Sequence, residues 1–171
     1  MKKLGIIVLV VCACFLTSTA DAQNSVCASV HLGGADVNWD GESAPPNNDA
    51  NLSLGAIEKC DGTVRGQLQD TWAGGGGIHG TVSCLVAVGN EAWVSGLITH
   101  GENLVGDDLS GQGFLVRLQD NGKNRNQDEP DKASFVFFGD PAFFETSCYG
   151  MYGDLDGANL FDLNNGQLTI K

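Results

Sequence analysis

Three consecutive strands, joined by turns that can be read from the residues, occupy the stretch from Gly77 to Gly122. Residues 78 to 88 alternate in side-chain polarity with a period of two, which is typical of a half-buried strand. Gly89-Asn90 follows, and glycine enters the positive-φ position of a two-residue type II′ hairpin without a steric penalty. A return strand covers residues 91 to 100, and a third strand covers residues 113 to 120. The stretch therefore predicts an antiparallel meander, and this meander sets the fold class.

The alternation gives each strand of the meander an apolar face. One face of the first strand holds Ile78, Val82, Cys84, Val86 and Val88. One face of the second strand holds Ala92, Val94, Ile98 and His100, and the opposite face holds Trp93, Ser95, Leu97 and Thr99. The inner face of the third strand holds Phe114, Val116 and Leu118, and its outer face holds Leu115, Arg117 and Gln119. A charge placed at Val86 is therefore expected to destabilise the fold strongly, whereas loss of the Arg117 charge is expected to matter little.

Similar alternation predicts further strands on both sides of the meander. They cover residues 25 to 32, 52 to 57, 64 to 70, 133 to 138 and 166 to 171. Asp61-Gly62 is a strong turn signal between the second and third of these strands. Helical periodicity nowhere extends over more than a turn or two. We therefore predict an all-β fold, an antiparallel barrel or sandwich of about eight or nine short strands.

The first 22 residues are typical of a signal peptide. Two lysines precede an apolar run from Leu4 to Leu16, and Ala20-Asp21-Ala22 has the small-x-small form of a signal-peptidase site. The apolar run is shorter than the roughly 20 residues of a spanning helix, which argues against a transmembrane anchor. Lipidation at Cys14 is a rival, but the apolar run continues past that cysteine. We predict cleavage after Ala22, a secreted or periplasmic product, and a single all-β domain over residues 23 to 171.

The chain is strongly acidic, with 21 Asp and Glu against 9 Lys and Arg and a formal net charge of −12. Removal of the leader takes away two lysines and one aspartate and leaves about −13. Nucleic acid and anionic lipid both need a basic surface, so this charge argues against either as a partner. A protein or a small apolar ligand remains compatible with it. An acidic surface favours solubility, and it also tolerates divalent cations.

Four of the six cysteines remain after cleavage, namely Cys27, Cys60, Cys84 and Cys148. An even number in an exported domain indicates two disulfides, each worth about 2 to 4 kcal/mol. Three connectivities are possible. Because Cys27 and Cys148 lie near the two ends, where a link restrains fraying, we favour Cys27 with Cys148 and Cys60 with Cys84. A zinc site is the rival, but the sequence has no Cys-x-x-Cys pair in this part and its three histidines are scattered.

Two stretches without strand periodicity are predicted to be loops. Residues 33 to 50 include Pro45-Pro46 and have little apolar content, and loops of this length are often functional or mobile. Trp39 lies in the middle of this loop. We interpret it as an anchor onto the body rather than a ring offered to a ligand, because a large ring covers apolar surface at low entropic cost. Gly74 to Gly77 is a glycine run, but no helix follows it, so we interpret it as a connection and not as a phosphate cradle.

Several short motifs mark the meander and the segment behind it. They are Gly80-Thr81-Val82-Ser83-Cys84-Leu85, Val88-Gly89-Asn90-Glu91-Ala92, Ser95-Gly96 with Ile98, Phe114-Leu115-Val116, Asp120-Asn121-Gly122, and Asp131 before Phe135. Together, over about half of the mature chain, they resemble a family of small exported prokaryotic β-domains of uncharacterised function. The resemblance implies a secreted all-β module without established catalytic residues. The chain departs from that family in additional cysteines and in an insert around Lys123 to Glu129.

Two acidic stretches are candidate calcium loops. The first contains Asp154, Asp156, Asn159 and Asp162, and alternate acidic side chains near a glycine turn let oxygens converge on one cation. It lacks the glutamate that an EF-hand uses as its bidentate ligand, and Asx-Gly pairs are common in ordinary turns. The second combines Asp120, Asn121, Asp128, Glu129 and Asp131, with ordinary Asx turns as the alternative. We therefore expect no obligatory cofactor, and calcium is the candidate ion.

The three histidines, His31, His79 and His100, carry the remaining candidate chemistry. For each one alone, a place at a strand end or rim explains the residue. His79 and His100 lie near the outer ends of the two hairpin strands, so we expect them to face one another across the pair. Two such histidines could bind a metal or act on a ligand, and they are the candidate ligand-binding residues, although no third metal ligand is evident. The sequence names no catalytic residue, because it contains no nucleophile elbow and no nucleophile beside a base.

Two functions from different classes fit these observations. The first is an exported non-catalytic β-module with a binding or structural role in the envelope or outside the cell. The alternative is a small β-barrel ligand carrier or cyclase-like enzyme with an apolar lumen. A packed interior supports the module, whereas an open apolar lumen with His79 or His100 at its mouth supports the carrier.

Overall fold

The computed structural model describes residues 25–37, 50–72, 75–122, 129–151, 159–163 and 165–171. They form an antiparallel all-β fold, as the alternation predicts. The strands are β1 Val26–Val37, β2 Ala50–Lys59, β3 Val64–Trp72, β4 Gly77–Val88, β5 Glu91–Glu102, β6 Gly113–Gln119, β7 Lys132–Ala133, β8 Phe137–Gly139, β9 Phe161–Asp162 and β10 Gln167–Ile170, and the helix α1 is Pro141–Gly150. The predicted leader over residues 1–22, Trp39 and the start of the glycine run lie outside the described residues.

The strands make one sheet that curls into a half-barrel. Their order is β10-β1-β2-β3-β4-β5-β6-β7-β9, with β8 paired to β6 off this path. From β1 to β7, each strand pairs antiparallel with the next one in sequence, as expected where most connections are short. The predicted meander is therefore confirmed. Its first turn is Gly89-Asn90, and Gly89 has a φ of 64°, as the first position of a type II′ turn requires.

The inner face of the half-barrel holds the main core, which β1 to β6 and β10 supply. Its largest fully buried side chains are Phe114, Leu32, Leu52, Leu68, Ile78, Leu85, Ile98, Leu118 and Leu168. A Cβ at Gly80 or Gly96 would lie 2.7 or 2.8 Å from the Phe114 ring, so these two glycines make room for it. Side chains therefore fill the interior along the described strands.

Residues 141 to 150 form helix α1, which the search for helical periodicity missed. The carboxylate of Asp140 caps its first turn, and Pro141 stands at the start of the helix, where proline fits. Asp-Pro was the sequence signal that was available. The helix buries only a short i, i+3, i+4 stripe, made of Phe144, Ser147 and Cys148. No helix among the described residues is both long and apolar enough to cross a membrane.

Helix α1 covers part of the outer face of the sheet. Beneath it lies a second buried cluster, called the outer cluster, of Cys84, Trp93, Leu115, Phe144 and Cys148. The outer face is therefore divided between a part under the helix, on β4 to β6, and an exposed part on β1 to β5.

A β-bulge in β4 brings Cys84 into this outer cluster. The pairing of β4 with β5 shifts register between Val82 and Cys84, which leaves Ser83 as the extra residue. Before the bulge, Val82 points into the main core, and after it Leu85 does. One inserted residue shifts the two-residue alternation by one, so every following side chain changes face.

Three predictions about outward and inward side chains are corrected. Val86 is not a core residue but packs half-buried against the outer cluster, and Val88 is 54% exposed. Arg117 is not a free surface charge, because its Nη2 and Nε donate to Glu91 Oε2 at 2.8 and 3.1 Å. Its guanidinium also lies 5.4 Å from the Trp93 ring centroid. Loss of the Arg117 charge is therefore expected to have a cost.

Alanine substitutions at two adjacent positions test the bulge. Leu85→Ala is expected to lower the free energy of unfolding by about 3 kcal/mol, because Leu85 lies in the main core and is only 2% exposed. Val86→Ala is expected to lower it by about 1 kcal/mol, since Val86 is only half-buried. Urea unfolding measures both values. A larger loss for Val86→Ala than for Leu85→Ala would restore the unshifted alternation and contradict the bulge.

The disulfides join Cys27 to Cys60 and Cys84 to Cys148, with Cα–Cα distances of 4.9 and 6.4 Å. The predicted pairing of Cys27 with Cys148 and of Cys60 with Cys84 is therefore wrong. Cys27 and Cys60 lie side by side because β1 begins where β2 ends, whereas the bulge turns Cys84 toward helix α1. Both pairs use up the cysteines of the described part of the chain, so none of these four is left to bind zinc. Two disulfides are consistent with an oxidising extracellular or periplasmic environment.

Two carboxylates tie the outer edge of β10 to the segment between β6 and β7. The backbone N–H of Leu168 donates to Asp131 Oδ2 at 3.3 Å, and that of Ile170 donates to Asp120 Oδ2 at 2.9 Å. The second oxygen of each carboxylate accepts a backbone N–H bond from the turn behind β6. These aspartates therefore occupy backbone donors of a strand edge that would otherwise stay open.

Candidate functional site

His79 on β4 stands directly opposite His100 on β5. Their rings are stacked, with centroids 4.3 Å apart and an interplanar angle of 14°. The two side chains face one another as the sequence predicted, on the exposed part of the outer face. We call them the histidine pair. Two imidazole rings are therefore in direct contact on this face.

A second bulge in the pairing of β4 with β5 fixes the tautomer of the His100 ring. The pairing of β4 with β5 passes from His79 and His100 to Gly80 and Ile98, so Thr99 is the extra residue. The Thr99 hydroxyl donates to the His79 carbonyl oxygen at 3.0 Å, and Thr99 Oγ1 also lies 3.3 Å from His100 Nδ1. A hydroxyl has one proton, and the carbonyl takes it, so Nδ1 must be the donor in the second contact. Neutral His100 therefore keeps its lone pair on Nε2.

A shallow groove of about 790 Å³ extends from the histidine pair across the outer face to β1. Besides the histidine pair and Thr99, its polar lining side chains are His31, Ser53, Arg65, Gln67, Gln69 and Thr81. Gly33 and Gly55 stand at outward positions in it and leave the sheet surface open. We call this the histidine groove, because it collects all three histidines of the chain. Sequence reasoning missed His31 in this group, since β2 and β3 separate it from the pair.

The charge of the histidine groove differs from that of the whole chain. The chain has 21 Asp and Glu, yet none of the described residues that line the groove is acidic. Arg65 is the one Lys or Arg among them. The groove therefore offers amides, hydroxyls, imidazoles and one guanidinium within an acidic protein.

A second hollow, of about 620 Å³, lies on the other side of the histidine pair. Glycines form much of its wall, and Glu102, Asp108 and Ser110 supply its polar side chains beside the pair. Hydrogen bonds from the Ser110 hydroxyl, and then from its backbone N–H, lower the pKa of Asp108. This hollow is therefore anionic, and the histidine pair stands between it and the histidine groove, whose described lining has no carboxylate.

A carboxylate of the interior was missed by sequence reasoning. Asp70 on β3 is fully buried, and neither of its oxygens has a hydrogen-bond partner within the described part of the chain. Its neighbours across the sheet are Leu52 and Ile78. Burial raises the pKa of Asp70 from 3.8 to about 7, and the Trp72 side chain and the Thr71 backbone N–H, which lie near the carboxylate without reaching hydrogen-bond geometry, lower it only in part. The sequence could have predicted this burial, because Asp70 lies two residues after the buried Leu68 and therefore points to the same, inner face of β3.

The two candidate calcium loops fare differently. In the first, Asp154 and Asp156 lie outside the described residues, while Asn159 and Asp162 are exposed. Asp162 lies 3.7 Å from the Lys132 ammonium. In the second, Asp128 lies outside the described residues, and Asp120 and Asp131 accept the backbone bonds that hold β10. Within the residues that the structure describes, no group of three or more His, Cys, Asp or Glu is arranged to hold a metal ion.

Comparison with protein-family models, with curated proteins and with solved structures found no match to the chain.

Proposed function

We propose that the chain is an exported non-catalytic binding module and that its ligand lies in the histidine groove. The observation that carries this proposal is the absence of acidic residues among the described lining of the groove, in a chain of net charge −12. Like charges spread at random over such a surface would have placed carboxylates there. A stretch that instead gathers polar donors and acceptors is suited to a polar ligand.

The chemistry of the lining favours a neutral carbohydrate. Gln67 and Gln69 point outward from the same face of β3, about 7 Å apart, and each can donate and accept. Ser53 and Thr81 add hydroxyls on the neighbouring strands. Sugar hydroxyls also donate and accept, so such side chains match them without a buried charge. An anionic ligand would find one guanidinium, that of Arg65, in the described lining, but the net charge of −12 would repel it on approach, so it is disfavoured.

The carrier or cyclase with an apolar lumen has less support. Buried side chains fill the described interior, with Phe114 seated between Gly80 and Gly96. The histidine pair lines grooves on the outer face and not the mouth of an apolar cavity. The module therefore accounts for more of the geometry.

A glycan array probed with the tag-free secreted protein tests the proposal. We expect retention on neutral oligosaccharides, in the presence of a chelator, and loss of most of that signal for the double variant Gln67→Ala/Gln69→Ala. Both glutamines are exposed, so the double variant should melt like the parent. Gln119→Ala, on the same sheet but outside the groove, serves as the matched control and should retain binding. Absence of any retained glycan, or equal retention by the double variant, would overturn the proposal.

A further inference from the structure

We propose that the histidine pair binds one late first-row divalent ion, Zn²⁺ or Cu²⁺, through one nitrogen of each ring. The two rings are stacked with centroids 4.3 Å apart. Imidazole nitrogens bind zinc at about 2.0 to 2.1 Å, so two nitrogens on one ion stand about 3 Å apart. In the stacked arrangement the nitrogen lone pairs lie in nearly parallel planes, so binding of one ion requires one ring to rotate out of the stack about its side-chain bonds. Thr99 contacts the His100 ring, so His79, which is only half-buried, is the ring that we expect to rotate.

The Thr99 contact prepares one of the two ligands. A histidine that binds metal usually donates its other ring N–H to a neighbouring oxygen, which fixes the tautomer and the orientation of the ring. His100 already does this, because its Nδ1 lies 3.3 Å from Thr99 Oγ1 and acts as the donor there. Its Nε2 is therefore the nitrogen that is free to bind. The bulge that leaves Thr99 unpaired on β5 is what puts its hydroxyl within reach.

The surroundings favour a cation at this position. Glu102 and Asp108 line the hollow beside the pair, and the chain carries a net charge of −12. This negative potential attracts a divalent ion toward the nitrogens. Nitrogen ligands select Cu²⁺ and Zn²⁺ over Ca²⁺ and Mg²⁺, which prefer oxygen. Two protein ligands leave further coordination positions to water, so we expect micromolar binding rather than a structural zinc site.

Titration calorimetry on the tag-free secreted protein, with ZnCl₂ and with CuCl₂ at neutral pH, tests the site. We expect one ion per chain, tighter binding of Cu²⁺ than of Zn²⁺, and no binding of Ca²⁺ under the same conditions. His79→Gln and His100→Gln should each weaken Zn²⁺ binding by more than about 10-fold. Thr99→Val keeps both rings and removes the oriented hydroxyl, and should weaken binding by about 10-fold.

His31→Gln is the matched control, because His31 lies in the same groove but three strands away, on the order of 14 Å from His79. It should bind Zn²⁺ like the parent. Side-chain ¹⁵N resonances of the parent identify the ligands without any variant, and those of His79 and His100 should shift while those of His31 stay. No heat and no shift with Zn²⁺, or equal weakening by His31→Gln, would overturn the site. This outcome is independent of the glycan array, which is run with a chelator.

Discussion

Asp70→Asn is expected to raise the free energy of unfolding by about 4 kcal/mol at about pH 8 and to leave it nearly unchanged at about pH 4. The reason is the environment of the carboxyl group in the main core. Asp70 is fully buried between Leu52 and Ile78, and its oxygens have no hydrogen-bond partner among the described residues. A charge there is therefore poorly compensated, whereas a neutral amide of the same shape is not charged at any pH.

The sign of the pH dependence follows from the raised pKa of Asp70, which burial moves from 3.8 to about 7. Below about pH 4 the carboxyl group is protonated in both states, and the fold keeps its full stability. As the pH rises toward 7, the unfolded chain releases this proton but the folded protein holds it, so stability falls. Above about pH 7 the loss is complete, and about three pKa units at about 1.4 kcal/mol each give the stated difference.

Urea unfolding of the parent and of Asp70→Asn between about pH 4 and about pH 8 measures this effect as a difference between the two proteins, which cancels other titrating groups. Asp61→Asn is the control. The Thr63 backbone N–H lowers the pKa of Asp61, an exposed turn residue, so Asp61 titrates at or below the acid end of this range and its variant should show almost no pH dependence. If the difference in free energy of unfolding between the parent and Asp70→Asn stays constant over this range, the prediction is wrong. The Asp70 carboxylate would then have a hydrogen-bond partner or contact with solvent.

Removal of the disulfide between Cys84 and Cys148, as the double variant Cys84→Ala/Cys148→Ala, is expected to lower the free energy of unfolding by about 4 kcal/mol. The link spans 64 residues, and the chain-entropy estimate for a loop of that length is of this size. It also holds helix α1 on the outer face, over Trp93 and Leu115. The helix should therefore become the least protected element to hydrogen exchange in the variant.

Removal of the disulfide between Cys27 and Cys60 is the matched comparison. Its sequence separation is 33 residues, and halving a loop changes the closure entropy by only about 0.6 kcal/mol. A difference between the two double variants well above that value would assign the excess to the packing of Cys84 and Cys148, which are both fully buried. Peptide mapping without reduction checks the connectivity itself. A peptide that links Cys27 to Cys148 would contradict the structure. A loss of less than about 1 kcal/mol in the free energy of unfolding of Cys84→Ala/Cys148→Ala would show that this disulfide contributes little to stability.

The sequence predicted part of the candidate site. His79 and His100 were expected to face one another because a two-residue turn and regular pairing relate positions on adjacent strands. Thr99 was not foreseen as their support, since its role depends on a bulge that leaves no mark in the pattern of residues. His31 joins the same groove only because β1, β2, β3 and β4 are neighbours in the sheet.

The sequence by itself determined what depends on neighbouring residues. The strands follow from two-residue alternation, the Gly89-Asn90 turn follows from the backbone freedom of glycine, and sequential antiparallel order follows from short connections. These are local constraints, so a short stretch carries all the information that they need. Asp140-Pro141 was of the same kind and could have predicted the start of helix α1.

Only the tertiary structure decided which distant groups meet. The bulge at Ser83 turned Cys84 to the outer face and so gave it Cys148 as its partner, and the pairing of β1 with β2 gave Cys27 to Cys60. Likewise, Asp120 and Asp131 resemble metal ligands until β10 supplies the backbone N–H groups that they accept. The physical reason is common to these cases. One extra residue in a ladder reverses the face of all that follow, and a side chain finds its partner only after the strands between them have been stacked into a sheet.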